Sequence, residues 1–289
     1  MIQATLLDPR QFLARKSFIE LYARERAQAL LDEGTYRELL GPFERLISPW
    51  LLMQGVVPEF DDGTIVARGK IGGRDSVILA IEGQFQGGGI GEVSGAKIAA
   101  ALDLALEDTK SGQPVQVVLL LETGGVRLQE ANLGLEVIAE INSSLLALRQ
   151  HVPVVGVIAG MIGCFGGMSI TASLCSYLIM TREARLGLNG PEVIEEQSGI
   201  EEFDSKDRQL VWGVNGGEQR YATGFADYLA EDDVEAIKKC IIEAFSRGIP
   251  ATHRSEQVDD YLKRLAAMDV SQQLPSSEVR KLWSKGKQV

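Results

Sequence analysis

Apolar positions change period several times along the chain, and each change marks an element. Between residues 10 and 50, Phe12, Phe18, Leu21, Tyr22 and Leu30 recur at helical spacing among charges. That spacing predicts a helical segment, punctuated near its end by Pro42 and Pro49. From Gly63 the texture turns β-rich: 64–70 and 76–81 are runs of strand formers separated by Gly72-Gly73, which predicts a hairpin. A glycine-rich turn over 83–91 then precedes an amphipathic helix over 94–110. A buried strand over 115–121 ends in Glu122-Thr123-Gly124-Gly125-Val126-Arg127, and a long helix over 128–150 follows. The third unit is a strand over 154–159, a glycine loop and a small-residue helix over 167–176. Short strands over 177–180 and 185–188 come next, and Gly190-Pro191 opens another helix. Strand, glycine turn and helix thus alternate repeatedly, which predicts an α/β domain with mostly parallel strands.

The ends differ from the middle. Residues 255–289 are charged and helical in pattern but carry no apolar stripe of their own, so they are expected to pack on the domain or on a partner. The division expected is a helical extension over 1–55, a central domain over 56–250 and a second helical extension over 251–289.

One stretch tests the soluble reading. No Asp, Glu, Lys, Arg or His occurs over 152–181, which is long enough to span a bilayer. Pro153, the glycines and the Ser, Thr and Cys residues divide it into a buried strand and a separate helix, so no membrane span is expected. The first ten residues lack the basic-then-apolar order of a signal peptide, and a cytoplasmic protein is expected. Cys164, Cys175 and Cys240 show no C-x-x-C spacing and suit reduced, buried thiols better than a metal site or a disulfide framework. A net charge of −11 argues against nucleic acid, whose phosphates need a basic surface.

Glycine is the residue used in excess: 31 of 289, about 11% against a usual ~7%, and clustered at the turns. Three of these turns follow a strand and open a helix. A helix start has free N–H groups and a partial positive charge, and glycine lets a substrate oxygen come close to the backbone. Two such turns aimed at one point would make an oxyanion hole. Gly124-Gly125-Val126-Arg127 and Gly163-Cys164-Phe165-Gly166-Gly167 are the candidates. The bland alternatives are a tight strand–helix turn with Arg127 in an ordinary salt bridge, and a close-packed helix start. The third cluster, Gly87-Gly88-Gly89-Ile90-Gly91, fails the dinucleotide pattern because Ser94 stands where the last glycine is required.

Side chains offer less. His151 lies at a helix–strand junction and reads as a capping or surface residue, and His253 lies in the charged tail. Ser169 lies in no G-x-S-x-G elbow and reads as core. Glu122 and Glu130 flank the first glycine turn as candidate acids, although carboxylates at helix starts are commonly caps. Backbone donors without a triad suit reactions whose main difficulty is an oxyanion.

At this point the motifs resemble a known family. Thr123-Gly124-Gly125-Val126-Arg127-Leu128-Gln129-Glu130 resembles the S-G-G-A-R-M-Q-E block of carboxyltransferase beta subunits of acetyl-CoA carboxylase. Phe85 to Gly91 resembles their F-M-G-G-S-M-G turn, Gly166-Gly167-Met168-Ser169 their G-G-V-S helix start, and Leu186 to Glu195 their I-G-F-A-G-P-R-V-I-E block. The order and spacing hold over about residues 60–200. The four-cysteine zinc ribbon of those subunits is missing, and with the helical start and the acidic run to Asp204 the layout looks closest to the beta-subunit family of malonate decarboxylases.

The resemblance implies a crotonase-like fold, a spiral of ββα units with helical extensions at both ends. It implies enolate stabilisation by amides at Gly124, Gly125, Gly166 and Gly167, with Gly87, Gly88, Gly89, Gly91, Val126, Arg127, Phe165 and Gly190 along the thioester and pantetheine path. It further implies no cofactor on this chain, the malonyl group riding on the phosphoribosyl-dephospho-CoA prosthetic group of an acyl carrier subunit. The implied partners are a homologous gamma subunit sharing the active site, that carrier, and an acyl-carrier transferase subunit. A biotin-dependent carboxyltransferase subunit and a non-catalytic scaffold for the carrier are the alternatives. An enoyl-CoA hydratase is disfavoured, because no Glu lies just after Gly167.

Overall fold

The computed structural model describes residues 15–269 and 274–284. Their framework is a seven-stranded sheet whose spatial order equals chain order. The strands are β1 (Arg37–Leu39), β2 (Thr64–Ile71), β3 (Arg74–Ile81), β4 (Gln116–Leu120), β5 (Val154–Ile158), β6 (Tyr177–Thr181) and β7 (Tyr228–Ala230). β1, β2 and β3 pair antiparallel, and Gly72-Gly73 turns the β2–β3 hairpin as the sequence predicts. From β3 to β7 every pairing is parallel. The chain therefore winds in one direction, with no reversal of strand order where a dinucleotide crevice would form.

Alternate side chains of the strands enter two cores. Leu79, Leu119, Val154 and Leu178 face the helices α3 (Glu92–Lys110), α4 (Leu133–Leu148) and α5 (Gly167–Leu174). Ile78, Val118, Val155 and Ile179 face the opposite layer, made of α1 (Ala23–Leu30) and α9 (Val234–Arg247). Strands buried on both faces explain the unbroken apolar runs in β4, β5 and β6. The uncharged stretch 152–181 is accordingly two strands and a helix, and among the described residues no helix is long and apolar enough to cross a membrane.

A second, smaller ladder runs along the ends of the parallel strands. Ile90 bridges Val126, Thr123 bridges Cys164, and Cys164 bridges Leu186, each in parallel. Successive turns of the spiral thus feed both the sheet and this ladder, the crotonase-like arrangement.

The segment 10–50 is not one helix. Among its described residues the α-helices are α1 and the start of α2 (Pro49–Met53), and β1 lies between them at the sheet edge. Gly34 and Leu40, at φ +73° and +53°, turn the chain on either side of β1 and lay it against β2. Phe12 lies outside the described residues. Helix α1 buries Ala23, Ala27 and Leu30 in the second core, and its first N–H, that of Ala23, donates to the Glu82 carboxylate at 2.9 Å. The helix expected over 128–150 is split at Ala131 (φ +52°) into a 3-10 turn, Leu128–Glu130, and α4.

At the other end, α10 (Val258–Ala266) and α11 (Ser276–Ser284) pack on the domain partly through an aromatic stack. Tyr261 lies 5.1 Å from Phe225 and 6.4 Å from Trp283, ring centre to ring centre. His253 is not in a solvated tail. It is buried, its Nε2 2.9 Å from the Cys175 carbonyl oxygen at the end of α5. Cys164 and Cys175 are buried free thiols, and burial pushes Cys175 up to about 12.

Candidate active site at two glycine turns

The two glycine turns predicted from sequence lie against each other because the ladder stitches them together. Thr123 N donates to the Gly163 carbonyl at 2.8 Å, and Phe165 N donates back to the Thr123 carbonyl at 2.9 Å. At Gly125 the φ is +116° and at Gly166 +59°, values that a side chain would strain. Space gives a second reason for glycine here. A Cβ on Gly166 would lie 3.1 Å from Gly125 Cα and 3.9 Å from the Val126 nitrogen, and a Cβ on Gly125 would lie 3.2 Å from Gly166 Cα.

The amides of these turns are not equally free. Gly124 N donates to the Gly87 carbonyl at 2.8 Å, Gly125 N to Thr123 Oγ1 at 3.0 Å, and Gly166 N to the Leu188 carbonyl at 2.8 Å. Within the described residues, the Val126 and Gly167 N–H groups make no hydrogen bond. Gly167 is the first residue of α5, so its N–H points out of the helix start, where the dipole favours negative charge. Three of the four glycines expected to donate therefore shape the turns, and the free donors are Gly167 and its counterpart Val126.

The first turn is braced from behind by charge. Arg127, expected along the thioester path, is instead 2% exposed. Its Nη1 lies 2.8 Å from Asp62 Oδ1 and 2.7 Å from Glu130 Oε1, and its guanidinium sits 5.2 Å over the Phe85 ring. Asp62 also accepts from Ser94 N, and Glu130 from Glu92 N, so both carboxylates tie the start of α3 to the turn. Burial pushes the Asp62 carboxyl above its usual range against the pull of Arg127. The ordinary salt-bridge alternative thus holds for Arg127, which makes it a buried brace rather than a ligand contact. Glu130 is consumed in the same network. Glu122 pairs with Arg26 and accepts from Ile162 N at 3.4 Å. Both candidate acids are structurally engaged.

The remaining expected contacts separate by exposure. Gly87 is exposed and offers its carbonyl to the first turn, while Gly88, Gly89 and Gly91 are buried. A Cβ on Gly88 would strike the Glu122 carbonyl at 2.0 Å, and one on Gly91 the Glu130 carboxylate at 2.3 Å, so these two serve packing. Phe165 is 5% exposed beneath Arg185. Gly190 caps α6 (Pro191–Ser198), partly exposed. His151 is exposed, as expected of a surface residue.

Ser169 does more than fill core. Its Oγ donates to the Gly166 carbonyl at 2.7 Å, and it lines a cavity of about 290 Å³ beside the second turn. Arg220, on α8 (Gly217–Ala222), lines the same cavity, and no sequence pattern marked it. Among the described residues no group of three or more His, Cys, Asp or Glu could hold a metal ion.

Comparison with known proteins gives consistent matches over nearly the whole chain. A malonyl-S-ACP:biotin-protein carboxyltransferase of Malonomonas rubra is 38% identical over 94% of this chain and 90% of its own length. Among solved structures, a chain of the Pseudomonas malonate decarboxylase hetero-tetramer in complex with malonate superposes with a TM-score of 0.92 at 56% identity. That match covers 95% of this chain and 100% of the other. A chain of the Pseudomonas malonate decarboxylase hetero-dimer matches at 51% identity with a TM-score of 0.75, over 88% of this chain and 98% of the other. The model of the carboxyl transferase domain matches residues 20–276, and with the spiral sheet and the paired glycine turns already in place, the chain belongs to the carboxyl transferase domain family.

Proposed function

We propose that this chain is the beta-type subunit of a malonate decarboxylase, which releases CO₂ from a malonyl thioester. The observation that carries the reading is the pairing of Val126 and Gly167, whose free N–H groups stand on abutting turns. When the bond between the α-carbon and the carboxylate breaks, its electron pair passes to the thioester carbonyl, and CO₂ leaves. The resulting enolate oxygen is the charge that two amides stabilise. Each such donor contributes about 2.7–4 kcal/mol to the transition state, or roughly 10²–10³ in rate. Among the described residues at the two turns no side chain is free to act as a base, and the step needs none. A proton must afterwards reach the carbanion carbon, and neither Glu122 nor Glu130 is free to bring it.

The identity of 56% to a malonate decarboxylase chain supports this reading. In it, the malonyl group arrives on the prosthetic arm of an acyl carrier subunit, the phosphoribosyl-dephospho-CoA form. A homologous gamma subunit completes the site, and a transferase subunit recharges the carrier. The Malonomonas rubra relative supports a second reading, transfer of the carboxyl group to a biotin protein. Both share the enolate. The experiment is to reconstitute the chain with its neighbouring subunits and follow CO₂ release from malonyl-carrier, with and without a biotinylated acceptor. Release without biotin is expected. Dependence on the acceptor would move the assignment to carboxyl transfer, and no reaction in either form would overturn both.

A further inference from the structure

Just past the second turn, helix α5 leaves part of one face uncovered. Ser169 and Ser173 on that face, Leu186 of the small ladder and Leu188 after it, and Arg220 and Phe225 from α8 and beyond line the cavity of about 290 Å³. Its walls are mostly apolar, and Arg220 is its cation. The Arg220 Nε donates to the Leu186 carbonyl at 2.9 Å, and Nη2 donates to Asn215 Oδ1 at 3.0 Å. Both acceptors are neutral. Among the described residues no carboxylate forms an ion pair with Arg220, although the chain has 40 acidic residues to 29 basic ones. Burial alone pushes its pKa down, with no acid opposing. Arg220 is half-buried over the Phe225 ring, and a half-buried cation without a counter-charge carries a desolvation cost that an anionic ligand would offset.

The cavity borders the second turn through Ser169 and Leu188. Ser169 Oγ donates to the Gly166 carbonyl at 2.7 Å, and Gly166 N donates to the Leu188 carbonyl at 2.8 Å. An anion in the cavity therefore lies beside the turn that carries the Gly167 N–H.

We infer that this cavity is a carboxylate subsite in which Arg220 holds the free carboxylate of the malonyl group while its thioester oxygen meets Val126 and Gly167. The inference rests on the decarboxylase reading and adds to it the group that tells substrate from product. Malonyl carries a carboxylate and acetyl does not. Once the carbon–carbon bond breaks, the carboxylate becomes neutral CO₂ and Arg220 loses its partner, so product release follows from the chemistry. The two neutral acceptors occupy Nε and Nη2 and leave Nη1 for the ligand. A single-edge contact binds the ground state without the full bidentate grip that would oppose loss of the carboxylate.

The test uses the reconstituted complex and free malonate as inhibitor, with acetate and inorganic phosphate as comparison probes. Arg220→Met is expected to weaken malonate inhibition, and to raise KM for malonyl-carrier, by about 10- to 100-fold, with the affinity for acetyl-carrier unchanged. Arg220→Lys should restore part of the loss. Ser173→Asp places a carboxylate in the wall without touching the Arg220 hydrogen bonds, and it should weaken malonate in the same way if Arg220→Met does not fold. Equal weakening of malonyl and acetyl forms, or malonate inhibition that ignores both substitutions, would overturn the subsite. Phosphate inhibiting as well as malonate would overturn it too, in favour of a phosphate site. A wild-type complex that binds malonate through Arg220 yet releases no CO₂ would leave the subsite standing and remove the decarboxylase reading.

Discussion

The two glycine turns of the proposed site are held by opposite materials. The first, at 123–127, is held by charge: Arg127 lies between Asp62 and Glu130, with exposures of 1% and 0% across each pair. The second, at 163–167, is held by backbone hydrogen bonds and apolar packing, with Cys164 and Phe165 buried and Gly167 against Ile138. Its support reaches to the far end of α5, where His253 and Arg254 bind the Cys175 carbonyl. The lesson is that an oxyanion site needs rigid amides, and the fold can supply rigidity either by a buried ion cluster or by close packing. The two supports should fail differently.

The largest effect is expected at the glycines where the turns touch. Gly125→Val or Gly166→Val forces a β-branched residue into a left-handed turn and against the opposite backbone. Decarboxylation by the reconstituted complex should fall at least about 10²-fold in each, the loss expected when a donor is misplaced. Circular dichroism and co-purification will show whether the fold and complex persist. A folded variant with near-normal turnover would refute the shared site.

The next effect separates the supports by stability. Arg127→Met leaves Asp62 and Glu130 as unpaired buried carboxylates and should cost about 3–5 kcal/mol in denaturant unfolding. Replacing Ile138 by Val, against the second turn, removes only a methylene and should cost about 0.5–1.5 kcal/mol. Similar losses for both would erase the distinction between a charged and an apolar brace.

A smaller, pH-dependent effect belongs to the second support alone. Burial pushes the His253 imidazole below its ordinary pKa, and Arg149 and Arg254 push in the same direction, against the hydrogen bond to Cys175. The unfolded chain therefore takes up a proton more readily than the folded one. Stability from neutral His253 is full above about pH 6.5 and is lost as pH falls through the lower folded value. Thermal midpoints measured from pH 7.5 to 5 should decline, and His253→Gln should flatten that decline. Parallel curves for the two proteins would mean that other groups carry the acid sensitivity.

This contrast also explains what the sequence made legible. Both turns were readable because a glycine pair after an apolar run and before a helix is a local signal; the parallel α/β order followed from its repetition, and the spiral from the family resemblance. That signal did not tell which of the N–H groups stay free. Gly124, Gly125 and Gly166 draw attention as glycines, yet their N–H groups are spent on Gly87, Thr123 and Leu188. Only the folded hydrogen-bond pattern separates a glycine that bends from its neighbour that donates. Arg127 was misjudged for a related reason, since Asp62 lies 65 positions upstream and nothing local announces the pair. The strand Arg37–Leu39 escaped because three half-exposed residues at a sheet edge carry no usable period. His253 lay in a charged stretch, and its burial against α5 is purely tertiary.

The central claim is that Val126 and Gly167 donate to the enolate oxygen while Gly125 and Gly166 shape the turns. The direct measurement is the decarboxylation rate of complexes in which one backbone amide is replaced by an ester, at residue 167 or at residue 166. An ester at 167 removes the proposed donor and should slow turnover by about 10²–10³. An ester at 166 removes only the hydrogen bond to Leu188 and should cost far less. A slower ester-166 enzyme, with ester-167 near the wild-type rate, would contradict the account.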